Sequence, residues 1–147
     1  MGIREDMPLL ARHEGKWEGT YTFIDPTGKI IDHHKAELSC SFPEDGEFPY
    51  WQTNHYTWPD GRTETIEFPA TYKDKKIYFD TERIDGFCWE VDENAIVLHW
   101  IYKKDTSVSL YELILLDESG TKRTRTWHWL KDGTCFQRTI IDERRVG

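Results

Sequence analysis

The chain has little of what marks most function classes. Its 147 residues include three cysteines, Cys40, Cys88 and Cys135, far apart and with no C-x-x-C pair. An odd, scattered set argues against a disulfide framework or a zinc site. No apolar run approaches the ~20 residues of a membrane helix, and stretches such as Leu113–Leu116 are strand-sized. Apolar stripes of period 3.6 are missing too, which excludes a helical fold. Neither G-x-G-x-x-G nor G-x-x-x-x-G-K occurs, so no phosphate loop is expected. The absence of G-x-S-x-G, H-x-H and H-E-x-x-H argues against a serine hydrolase and a metal centre. His33 and His34 are adjacent, so on a strand they point to opposite faces. Positive charge is scarce: 19 basic against 27 acidic residues give a net charge of -8. Such a chain repels phosphate backbones, and nucleic acid is not an expected partner. The local groups Lys122, Arg123, Arg125 and Glu143–Arg145 read as a solvated strand face and a solvated tail. The opening residues lack the apolar stretch of a signal peptide, and there is no N-x-S/T acceptor. A cytoplasmic protein with reduced thiols is the expectation.

What the chain does have is aromatic rings. Hydrophobic types reach only 37% of the residues, yet Trp, Tyr and Phe number seven each. That is too much aromatic surface for a disordered coil.

Turn signals recur along the chain: Asp25-Pro-Thr-Gly28, Pro59-Asp-Gly61, Asp85-Gly86, Asp117-Glu-Ser-Gly120 and Lys131-Asp-Gly133 among them. Asp and Gly tolerate the positive φ of tight hairpins. Between the turns lie about ten runs rich in Thr, Tyr, Trp, Ile and Val. Several alternate with period two. Trp17, Gly19, Tyr21 and Phe23 share one face; so do Ala36, Leu38, Cys40 and Phe42; so do Ile96, Leu98, Trp100 and Tyr102. Phe87, Trp89 and Val91 oppose Cys88 and Glu90. This pattern predicts an all-β fold: one closed, antiparallel, up-and-down barrel of about ten strands. A short helix over Met7–His13 leads in, with Pro8 in its first turn and Gly15 as its stop. The domain expected is single, 1–147, with 1–14 as the helical lead-in. Trp17, Phe87 and Phe136 are assigned to the seal and core.

The inward face of a barrel strand is a pocket wall. Tyr50, Gln52, Asn54, Tyr56 and Trp58 share a face that mixes rings with amides. A dry core would avoid amides, because a buried amide costs free energy unless paired. That face lines a polar-aromatic cavity or is solvated. In the run Arg123–Trp129, Arg123, Arg125, Trp127 and Trp129 oppose Thr124, Thr126 and His128. Either face can be the interior. The first puts Arg125 inside as an anchor for an anion or carbonyl; the second offers His128 as a proton carrier. Glu64, beside Arg62, is an acid or base at one mouth, or half of a rim ion pair.

Gly15-Lys16-Trp17-Glu18-Gly19 resembles the G-x-W signature of the lipocalin and fatty-acid-binding (calycin) barrels. The resemblance implies that Trp17 closes the barrel base and that an Arg of the last strand covers it. Arg138 stands where that Arg is expected. More closely, the chain resembles a family of uncharacterised bacterial lipocalin-like proteins. Tyr50–Asn54, Glu67–Thr71, Glu82–Gly86 and Thr126–Trp129 carry that likeness, and it implies no activity. The same opening motif is similar to nitrobindin-type haem barrels, although Tyr21 stands where those have a further Gly.

The expected function is binding of a small hydrophobic or aromatic molecule in the barrel cavity. Its wall is assigned to Tyr21, Gln52, Asn54, Tyr56, Trp58, Trp89, Trp100, Tyr102 and Trp127. The alternative is a cofactor-independent isomerase, cyclase or lyase in the same cavity, with Glu64, His128, Tyr56 or Arg125 as the acid-base group. A haem-binding barrel is the third reading. No cofactor, metal or membrane is called for by the residues, and a homodimer stays open.

Overall fold

Period-two alternation with short turns is what a meander requires, and a meander is what forms. The computed structural model describes residues 2–147. Its ten strands are β1 (Gly15–Ile24), β2 (Ile30–Ser41), β3 (Tyr50–Thr57), β4 (Thr63–Lys73), β5 (Lys76–Asp80), β6 (Ile84–Glu90), β7 (Ala95–Tyr102), β8 (Val108–Leu116), β9 (Lys122–Lys131) and β10 (Thr134–Arg145). Each pairs antiparallel with the next, and β10 returns to β1, so the sheet closes as a barrel with no free edge. The hairpin between β9 and β10 shows the turn chemistry at work. Asp132 and Gly133 have φ of 50° and 82°, the paired left-handed residues of a twist-matched two-residue turn. Among the described residues, no helix is long and apolar enough to cross a membrane.

The lead-in departs from expectation. Two single-turn helices, α1 (Ile3–Asp6) and α2 (Pro8–Ala11), replace one helix over Met7–His13. Met7 separates them, with φ -128° and ψ 65°. The ring of Pro8 disfavours helical geometry in the residue before it, and Pro8 itself starts the second turn. Met7, Leu9 and Leu10 are buried and anchor the lead-in to the barrel.

The base is sealed by Trp17, which is fully buried. Its indole N–H donates to the carbonyl of His13 at 3.0 Å. Guanidinium groups cover the ring: Arg123 at 4.4 Å and Arg145 at 4.5 Å from its centre. The covering Arg of the last strand is therefore Arg145, and Arg138 is exposed at the opposite end. Antiparallel closure decides this. The start of β1 meets the end of β10, pairing Trp17 with Arg145 and Ile24 with Arg138.

Two aromatics assigned to the core lie outside. In β6 the buried phase is Ile84, Gly86 and Cys88. Pairing with β7 sets Gly86 opposite Trp100, where the missing side chain lets the backbone of His99 and Trp100 approach closely. Phe87 and Trp89 are turned to the outer face, stacked at 5.3 Å. Phe136 is also on the outside, 38% exposed. The basic groups of β9 run the other way: Arg123 and Arg125 are buried rather than solvated.

Candidate functional site

The barrel interior is divided into two spaces, and a layer of rings separates them. Phe68, Trp100 and Trp127 line both. Trp100 lies 5.7 Å from Phe68, stacked, and 6.5 Å from Trp127.

The outer space is a cleft of about 190 Å³ at the mouth away from Trp17. Tyr21, Tyr56, Trp58, Trp100, Tyr102 and Trp127, all assigned to the wall from the sequence, are brought together here, with Phe23, Ile66 and Trp129. Glu64 and Arg83 sit at its rim, where both are exposed. One further wall residue is His34, 3% exposed. Its ring stacks on Tyr21 at 5.4 Å, lies 4.3 Å from Trp58 and meets Tyr56 edge-on. Its Nδ1 is 3.1 Å from Asp32 Oδ2. The Asp32 carboxylate also accepts from the Trp58 indole N–H at 3.1 Å. One carboxylate thus fixes both rings. Burial holds the His34 imidazole below its ordinary pKa, against the opposing pull of Asp32. The neutral ring donates through Nδ1 to Asp32, which leaves Nε2 as a base.

The inner space is a chamber of about 40 Å³ above the Trp17 seal. Gln52, Asn54 and Arg125 belong to this chamber rather than to the cleft. The amides of β3 are spent on one another. Tyr50 donates to Gln52, Gln52 to Asn54 and Asn54 to Tyr56, each at 2.8 Å. This i, i+2 ladder satisfies the buried amides that looked out of place in the sequence.

Below it lies an ionic cluster. Arg125 Nε and Arg123 Nε donate to Glu143 Oε1 at 2.9 and 2.5 Å. Arg125 also donates to Glu143 Oε2 at 3.1 Å, to Glu112 at 2.8 Å and to the Tyr21 hydroxyl. The two guanidiniums outweigh burial and hold the Glu143 carboxyl down at about 2. His13, above the seal, accepts from Arg123 at 3.1 Å through Nδ1. Burial, reinforced by Arg123 and Arg125, drives its pKa down to about 3, so the ring is neutral.

Two assigned residues leave the interior. Trp89 lies on the outer face of β6 for the reason given above. His128 is exposed on β9, because the Trp–Arg face points inward. His13, His34, Glu112, Arg123 and Glu143 were missed. For His34 the signal was its phase: it precedes Ala36, Leu38 and Cys40 on the buried face of β2. Glu112 likewise keeps step with buried Leu110.

The fold has relatives of known structure. A protein of unknown function of the DUF3598 family from Nostoc punctiforme PCC 73102 is 19% identical, with a TM-score of 0.69 over 99% of this chain and 49% of that one. This chain therefore spans about half the length of that protein. The S-type phycobiliprotein lyase CPES from Guillardia theta is 15% identical, with a TM-score of 0.70 over 100% and 94% of the two chains. Rv2717c from M. tuberculosis is 14% identical, with a TM-score of 0.66 over 97% and 98%. At these identities the likeness is one of fold. No curated protein matches the sequence. The N-terminal domain model of DUF3598, a domain of unknown function, matches residues 5–147, and the chain belongs to that family.

Proposed function

We propose that the barrel binds a small, uncharged aromatic or hydrophobic molecule in the outer cleft. The observation that supports this is the cleft's wall: an open space bounded almost wholly by rings, with His34 and Trp58 held in place by Asp32. Rigid rings offer contact area at little cost in side-chain entropy. A volume of about 190 Å³ lies below the ~300–1,000 Å³ of pockets for drug-sized ligands, so the ligand is one of one or two rings. The same size argues against haem. A porphyrin exceeds the cleft, and the faces of the inward His34 are packed against Tyr21 and Trp58.

Titration with 6-propionyl-2-(dimethylamino)naphthalene, an uncharged two-ring fluorophore, tests the cleft by fluorescence. A saturable enhancement is expected, weakened about tenfold by Trp58→Ala, in line with loss of an aromatic anchor. Trp89→Ala, on the outer face, leaves it unchanged. Equal binding by the wild type and Trp58→Ala refutes the cleft as the site.

The second reading, a cofactor-independent isomerase, cyclase or lyase, is favoured by one feature. His34, oriented by Asp32, is a positioned acid-base group on the cleft wall. Native mass spectrometry after incubation with a small-molecule extract separates the two. A captured molecule released unchanged means binding; one released chemically altered, and no longer altered by His34→Ala, means catalysis.

A further inference from the structure

Four buried nitrogen atoms have no hydrogen-bond partner among the described residues: His13 Nε2, Arg123 Nη2, Trp100 Nε1 and Trp127 Nε1. All four residues line the inner chamber, and each is between 2% and 7% exposed. All four atoms are donors. Arg and Trp nitrogens can only donate. His13 accepts from Arg123 through Nδ1, so its proton is on Nε2. Buried polar groups are nearly always paired, and an unpaired donor carries its full desolvation cost. His13 and Arg123 line the chamber alone, while Trp100 and Trp127 also face the cleft, where the Trp100 indole N–H lies towards the Tyr102 hydroxyl; together these donors ask for an acceptor.

No neighbouring group reaches these donors as the side chains stand. Both oxygens of Glu143 are taken by Arg123 and Arg125, and Glu112 Oε2 by Arg125, which leaves Glu112 Oε1 as the one oxygen of these two carboxylates without a hydrogen bond among the described residues. The β3 amides and tyrosines bond along their own ladder. Charge narrows the choice of acceptor. Two guanidiniums are paired with two carboxylates, so the cluster has no net charge to offer an anion. Glu112 is itself on the chamber wall. A carboxylate placed here is repelled by Glu112 and finds no free cation, whereas a carbonyl oxygen brings only lone pairs. Size agrees. One water needs about 10–15 Å³ by this measure, so about 40 Å³ holds a group of about three non-hydrogen atoms.

We propose that the inner chamber is a receptor for the carbonyl oxygen of an uncharged ligand. This rests in part on the cleft reading. Trp100 and Trp127 separate chamber from cleft, so rotation of one indole lets the carbonyl end of a cleft ligand reach the donors. A small free ketone or amide supplies the same chemistry without the cleft.

The test uses four probes on the folded chain: 2-acetonaphthone, 2-ethylnaphthalene, 2-naphthoate and acetone. Affinities are read by calorimetry. Hydrogen bonding is read from the indole ¹⁵N–¹H resonances, assigned with Trp100→Phe and Trp127→Phe. These variants keep an aromatic ring and lose the donor. The expected result is that 2-acetonaphthone binds about three- to tenfold more tightly than 2-ethylnaphthalene, the gain of one or two net hydrogen bonds. It shifts the Trp100 and Trp127 indole signals downfield. Trp127→Phe lowers the ratio of ketone to hydrocarbon affinity towards one, whatever it does to either affinity alone. Trp100→Phe provides the same comparison if Trp127→Phe does not fold. A downfield indole shift with acetone alone also supports the chamber and identifies a small free carbonyl as its ligand. Equal affinity for ketone and hydrocarbon with no indole shift overturns the chamber proposal while the cleft reading stands. Tighter binding of 2-naphthoate than of the ketone overturns it in favour of an anion. No binding of either naphthalene and no acetone shift overturns both readings.

Discussion

His13 makes the barrel base acid-sensitive at a pH where few proteins lose stability. Its ring is buried, bonded to Arg123, and near Arg125, Arg145 and Glu143. Burial comes first, then the two guanidiniums, in lowering its pKa from 6.5 to about 3. The folded pKa is below the unfolded one. The unfolded chain therefore takes up a proton first as pH falls, and stability is lost below 6.5. Each pH unit costs about 1.4 kcal/mol for one proton. Between pH 6.5 and 4.5 the loss is about 2.3 kcal/mol, because the unfolded ring is only half protonated at the upper end. Glu143, by contrast, is depressed from 4.5 to about 2. Its contribution is complete above 4.5 and fades only as pH falls towards 2, so it leaves the upper window clear. The assay is urea denaturation at half-unit steps from pH 7 to 4.5, on the wild type and His13→Asn. The Asn carbonyl can still accept from Arg123 and does not titrate. Other groups contribute equally to both proteins. The wild-type curve should fall away from the variant by about 2 kcal/mol or more across the window. Parallel curves refute the assignment of a neutral, buried His13.

Three further outcomes follow from the interior. Arg125→Met strands Glu112 and leaves Glu143 with Arg123 alone, so urea denaturation should show a loss of about 3–5 kcal/mol. Gly86→Ala drives a methyl into the His99 carbonyl oxygen and Trp100 Cβ, and the melting temperature should fall in keeping with a loss of about 1–3 kcal/mol from overpacking. Cys135 is exposed while Cys40 and Cys88 are buried, and burial pushes the Cys88 thiol up. Ellman's reagent should therefore titrate one thiol in the native protein and three only in denaturant.

The barrel was legible because β1, β2 and β7 each put rings and aliphatics on one parity. β6 was not, because both of its faces are compatible with burial. Phe87 and Trp89 outweigh Gly86 and Cys88 by hydrophobicity, yet the close approach of the β7 backbone leaves room only for glycine at 86. The cleft residues were legible for the same reason as the fold: they are the inward phase near one mouth. The ionic cluster was hidden by separation. Arg123 and Arg125 look like a solvated face until β10 pairs with β9 and sets Glu143 across from Arg123. Neutralisation of a buried charge depends on a partner 20 residues away in sequence, and local pattern does not contain it. His34 is legible only through its phase with Ala36, Leu38 and Cys40; the adjacent His33 makes the two look like a pair, although they point to opposite faces.

Closure of the barrel through β1 and β10 has a consequence for synthesis. Every other strand finds its partner in the next few residues to emerge. β1 alone must wait for the far end of the chain, since Trp17 pairs with Arg145. Its loop is the longest in the fold and the costliest to close in entropy. Until the last strand leaves the ribosome, Trp17 lacks Arg145, β1 has one unpaired edge, and Arg123 lacks Glu143, its one carboxylate partner among the described residues. The nascent barrel is thus an open sheet with exposed rings and an uncompensated guanidinium. A truncation that stops short of Glu143 should arrest the protein in that state, exposed to aggregation rather than merely less stable.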